Sequence, residues 1–147
     1  MQQSLNGKFY QDSVFWVLIG MGPLVVFGIK FGLHDLAITS LDTPAQVLSL
    51  LLIYPVLEEV VFRGAIMDGV SKTPLAGLRI AHISGPNFFS ASLFSLLHLW
   101  GQRLGWALAV FIPGLVFGFS KERWGSLKFP ILLHIYYNGC FFGIMSV

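Results

Sequence analysis

The chain has 147 residues, of which 55% are hydrophobic and only 11% charged, whereas soluble domains carry roughly 25% charged residues. With a mean hydropathy of +0.75 it has too little polar surface to clothe a soluble core, which marks an integral membrane protein. A net charge of +2 with no Lys/Arg-rich run excludes a nucleic-acid partner, and the lone Cys140 excludes an internal disulfide or a cysteine-built metal cluster.

Five apolar stretches follow in chain order. Lipid cannot satisfy backbone polar groups, so each is expected to be a helix. The first, about 13–30, follows Lys8 without a small-x-small cleavage site and reads as a retained span. The second, about 45–67, has Asp42 or Thr43 as its N-cap and Pro44 in its first turn. The third, about 87–100, is short. The fourth, about 105–120, is expected to bend at Pro113-Gly114. The fifth covers about 127–145. The expected fold is all-α, a polytopic transmembrane bundle of about five spans forming one membrane domain over 1–147. The connectors 31–41 and 73–83 are partly apolar and are expected to lie along the membrane interface. Small-xxx-small pairs at Gly28/Gly32, Gly114/Gly118 and Gly139/Gly143 would let helices approach closely. Lys8, Lys72, Arg79, Lys121, Arg123 and Lys128 fall on one side, and Lys30 and Arg103 on the other. The positive-inside rule then puts the N-terminus in the cytoplasm and the C-terminus outside.

Polar groups interrupt the spans at a few places. Glu58 and Glu59 stand side by side in the second, where insertion scales charge about 2.5–3.5 kcal/mol for a charged residue near a helix centre. Glu59 and Arg63 are i,i+4 in the favourable acid-first order and can pair. That leaves Glu58, about 100° around the helix, free to face something else; the alternative is that both acids are neutralised in a packing network. Phe94 and His98 share a face of the third span, and His134 and Asn138 share one of the fifth. Each pair alone could simply hold helices together. Counted from the cytoplasmic ends, however, Glu58, His98 and His134 lie at a similar depth, roughly 10–17 Å at 1.5 Å per residue, so they can converge on one cavity. Cys140 should point away from it.

Glu58-Glu59-Val-Val-Phe-Arg63, Phe94-Ser-Leu-Leu-His98 and His134-Ile-Tyr-Tyr-Asn138, in this order on separate spans, resemble the EExxxR, FxxxH and HxxxN motifs of the CAAX-processing endopeptidase and bacteriocin-processing family, the glutamic-type intramembrane proteases. The match runs over 45–145. Larger members have about eight spans, so this chain resembles a minimal core with one leading helix. The resemblance implies an intramembrane endopeptidase with Glu58 as catalytic glutamate and His98 as its partner in activating water. His134 and Asn138 would stabilise the oxyanion, and Glu59, Arg63 and Phe94 would be structural or orienting. It implies a membrane-anchored protein or peptide substrate, such as one bearing a C-terminal sorting signal, and a bacterial or archaeal plasma membrane. The chemistry agrees with those roles: hydrolysis needs a base for water and donors for the developing oxyanion. No cofactor is expected. Two other readings stand beside this one: a zinc peptidase using Glu58, His98 and His134, and a non-catalytic binding, immunity or scaffold protein.

Overall fold

The computed structural model describes residues 9–32 and 43–145. Lys8, Asp42 and most of the 31–41 connector lie outside those residues. Among the described residues, five helices carry the fold: α1 Ser13–Gly32, α2 Pro44–Val70, α3 Gly85–His98, α4 Leu104–Trp124 and α5 Lys128–Met145. Their starts and stops follow local chemistry. Thr43 caps α2 in a reciprocal box with Gln46, and Pro44 occupies the first turn. Ser84 caps α3 by accepting from the Asn87 N–H at 3.1 Å. Gly125, at φ 64°, takes the left-handed position that closes α4, its N–H reaching Lys121 O.

The helices form a bundle, as expected, but not one of five full crossings. Among the described residues, α1, α2 and α4 are the three helices long and apolar enough to span a membrane. α3 has 14 residues, about 21 Å at 1.5 Å per residue, short of a ~30 Å hydrocarbon core. α5 has 18 residues but carries Lys128, His134 and Asn138 along its length. The 73–83 connector also departs from the all-helical expectation. It holds a short turn at Pro74–Gly77 and a two-stranded antiparallel hairpin, β1 Arg79–Ile80 with β2 Ile83–Ser84. Two-residue strands are too short to show alternation in sequence. Leu75, Leu78 and Ile80 are exposed there, as an interfacial segment would require.

α3 packs along α4, α1 and α4 lie along α5, and α2 fits against α3 and α5. One apolar core joins Leu18 of α1, Val116, Phe117 and Trp124 of α4, and Leu133 and Tyr137 of α5. A second joins Phe62 of α2, Phe94 of α3 and Val110 of α4. Of the three small-residue pairs, Gly114/Gly118 sits at a helix contact: a Cβ at 114 would meet Ala91 at 3.4 Å, and one at 118 would overlap the Asn87 side chain. A Cβ at Gly28, Gly32 or Gly139 would meet open space. Large apolar side chains such as Trp16, Leu24, Leu57, Leu96 and Leu108 project outward from four different helices, giving the bundle a surface suited to lipid.

Candidate active site

The site begins in α2, which is not a uniform helix. Residues Ser49–Ile53 and Val60–Ile66 are wound as π-helix on either side of the two glutamates. Wide turns of this kind are uncommon and gather at functional sites. Here their carbonyls are served by side chains of neighbouring helices. Ser90 Oγ of α3 donates to Phe62 O at 2.7 Å, and Lys121 Nζ of α4 donates to Arg63 O. In the first π stretch, Tyr54 N–H bonds Ser49 O, so the next donor in register for Leu50 O would be residue 55. That residue is proline and has no N–H. Asn138 Nδ2 of α5 fills the gap, donating to Leu50 O at 2.9 Å.

Adjacent in sequence, the two acids have different surroundings. Glu59 is wholly buried. Its Oε1 accepts from Arg63 Nη1 at 3.1 Å and from His134 Nδ1 at 2.8 Å. Arg63, equally buried, also donates through Nη2 to Gly114 O at 2.7 Å, and its guanidinium lies 4.9 Å from the centre of the Phe94 ring. Glu58 keeps 35% of its side chain exposed, and its Oε2 stands 3.5 Å from His134 Nε2. His134 is therefore bracketed by both glutamates. Because Glu59 Oε1 is already an acceptor for Arg63, His134 Nδ1 carries the hydrogen in that contact, and Nε2 is the nitrogen turned to Glu58. Phe117 stacks on the imidazole at 4.7 Å and fixes its plane.

His98, the last residue of α3, places Nδ1 2.8 Å from Phe94 O. A carbonyl only accepts, so Nδ1 is the donor and Nε2 bears the lone pair. The Phe94 ring stands edge-on to His98 at 4.6 Å. Glu58, His98, His134 and Asn138 all line one cavity of about 240 Å³. Glu58, Phe94 and His98 also line a second, more open pocket together with Gln102. The polar residues singled out in sequence thus meet at one place, with Phe94 beside them on the cavity wall and Glu59 and Arg63 directly behind. The expected Glu58–His98 partnership is less direct: among the described residues no ion pair joins them, and the carboxylate–imidazole contact is with His134. Among the described residues, no three His, Cys, Asp or Glu side chains are grouped as a metal site would group them. Cys140 is half-buried and is not among the residues lining the cavity.

Sequence reasoning missed several parts of this site. Tyr54, one turn before Glu58 on the same face, lines the cavity, as do Gln102, Trp106, Phe117 and the α1 residues Val25, Val26 and Ile29. The i,i+4 spacing of Tyr54 and Glu58 was a usable signal. The others are apolar or lie between helices and carry none.

Residues 40–140 match the type II CAAX prenyl endopeptidase Rce1-like family. The chain belongs to that family. No curated protein and no solved structure matches it. Membership in this Rce1-like family, one of endopeptidases, goes with the apolar helices: the chain is an integral membrane protein of a protease family whose substrates are membrane-associated proteins. The matched region of the Rce1-like family takes in α2, α3, α4 and most of α5, and so every polar residue described above. It leaves out α1.

Proposed function

We propose that this chain is a glutamic-type intramembrane endopeptidase. Glu58 takes a proton from water, the oxygen of that water adds to the scissile carbonyl, and the protonated Glu58 returns the proton to the departing amine. The lone pair of His98 Nε2 orients the water. The oxyanion is met by the amide hydrogen of Asn138 not given to Leu50 O, and by His134 Nε2 in its protonated form. Glu59, Arg63 and Phe94 hold these groups in place. The substrate is a membrane-anchored protein or peptide, with a C-terminal sorting signal as one form it can take. The loop charges put the N-terminus in the cytoplasm and the C-terminus outside.

The observation that carries this reading is the unequal setting of the two acids. One is sealed by an arginine and a histidine, and the other is open to the cavity beside the same histidine. A packing network would have no reason to leave Glu58 at a cavity wall. The test compares wild type with Glu58→Gln in the native host at matched expression, profiling membrane and secreted proteins by mass spectrometry for altered termini. Proteins that accumulate uncut in the variant are the expected result, and they identify the substrates. Unchanged termini, with a deletion phenotype that Glu58→Gln rescues, would overturn the peptidase reading in favour of binding or scaffolding.

A further inference from the structure

The first helix divides at Gly22-Pro23. Before that point it is fixed in the bundle: Asp12 pairs with Arg123, Leu18 sits in the core, and Leu18 O accepts from Tyr137 at 2.7 Å. Pro23 lacks the N–H that would close on Ile19 O. Beyond it the inward residues change partners. Val26 and Ile29 are buried but belong to neither apolar core; together with Val25 they line the cavity that holds Glu58. On the opposite face of this half, Leu24 and Phe27 are exposed. One helix therefore separates cavity from lipid here, and at its far end Lys30 Nζ donates to Ile144 O of α5 at 2.9 Å. The ionisable and amide side chains of the cavity come from α2, α3, α5 and, as Gln102, the connector between α3 and α4, whereas the α1 contribution is wholly aliphatic.

We infer that α1 beyond Pro23 is the selectivity wall of the cavity, with Val26 and Ile29 setting how bulky an apolar group can lie beside Glu58. The inference rests on the peptidase reading for its reaction but not for its geometry. It also concerns a segment outside the matched family region 40–140, so the family signature does not fix this wall. Apolar pockets discriminate by size: one methylene more or less changes turnover efficiency by roughly 10–200-fold. The group accommodated is apolar, either an amino-acid side chain or an alkyl chain carried on a cysteine sulfur.

The experiment uses the full chain in detergent and one membrane-anchored probe peptide in two series. One series varies a single position through Ala, Leu, Phe and Trp; the other carries cysteine S-alkylated with chains of increasing length. The longest chain bears a terminal diazirine, and a matched member of the first series carries a diazirine side chain at the varied position, both for photo-crosslinking to the Glu58→Gln protein. The expected result is a competable crosslink on the α1 segment containing Val26 and Ile29. Val26→Phe should lower kcat/KM by a factor that grows with probe bulk, reaching tenfold or more, and Val26→Ala should shift preference toward the bulkier probes. The series that shows this grading identifies the source of the apolar group. Crosslinks confined to other helices, or a loss equal for all probes in both variants, would overturn the wall. Crosslinking at α1 without cleavage by wild type would uphold the wall and overturn the peptidase reading. Cleavage with crosslinks elsewhere would do the reverse.

Discussion

Glu58 and Glu59 have the same side chain, and one residue of helical rotation gives them different surroundings. Both bonds to Glu59 land on Oε1, an atom that glutamine also possesses. Glu59→Gln therefore keeps the hydrogen-bond pattern open to Arg63 and His134 but removes the charge that compensates a fully buried guanidinium. Breaking such a pair by removing one partner costs about 3–5 kcal/mol. The variant is expected to fold in reduced yield and to unfold at a lower temperature in detergent, while the fraction that folds keeps most of its specific activity. Normal yield with abolished turnover would reverse the roles of the two acids. The Glu59–Arg63 pair was legible in the sequence because i,i+4 spacing is a local property. The Arg63 bond to Gly114 O and the Glu59 bond to His134 were not, since they span 51 and 75 residues and depend on how helices pack. His98 and His134 were recognisable in sequence as candidates that could share one cavity, but not which nitrogen of each faces it.

At the scale of the element, the informative helix is α2. Its start could be read to within a residue, from Asp42 or Thr43 before Pro44, and its length from the apolar run. Its two π-helical stretches could not, because they arise where other helices supply donors to its carbonyls. Pro55 was an unread clue: in a π turn it leaves Leu50 O without a backbone donor, and Asn138 makes up the loss. A buried acceptor left unsatisfied costs about 1–3 kcal/mol. Asn138→Ala is expected to destabilise the protein by that order in the wild-type background and by less in Pro55→Ala, which restores an N–H at position 55. Thermal unfolding of the four proteins of this double-mutant cycle measures the coupling. Strict additivity would mean that Asn138 does not stand in for the missing donor. This sets a structural duty beside the proposed catalytic one, and the two are separable because stability and turnover are read independently.

Over the whole molecule, one end of the bundle is tied together at the last turn of α4. Lys121 pairs with Asp68 at the end of α2, Glu122 accepts from Ser84 and pairs with Arg79 of the hairpin, and Arg123 pairs with Asp12 at the start of α1. The loop cations that set the expected orientation were visible in the sequence, but their acidic partners on other segments were not. Among these ties, the one between Asp12 and Arg123 bears on the cavity, because it fixes the root of the helix whose far half forms the wall. Arg123 donates twice to Asp12, through Nε at 2.6 Å and Nη2 at 2.9 Å. These bonds hold the Asp12 carboxyl below its ordinary value of 3.8, with the Val14 N–H adding to the effect. A carboxylate whose pKa is lowered on folding contributes stability above its unfolded value and loses it as pH falls through the folded one. The Asp12 contribution should accordingly be complete at neutral pH and disappear only below about 3.8. In Asp12→Asn it should be absent throughout, so the difference in unfolding temperature between the two proteins should be constant near neutrality and shrink at the acid end. The pair is partly exposed, so the difference should be modest and should narrow with added salt. A difference that grows on acidification would mean that Asp12 is held by something other than Arg123. If the pair does anchor α1, the same substitution should blur the graded response of the wall to probe bulk while leaving the proposed catalytic groups of α2, α3 and α5 in place.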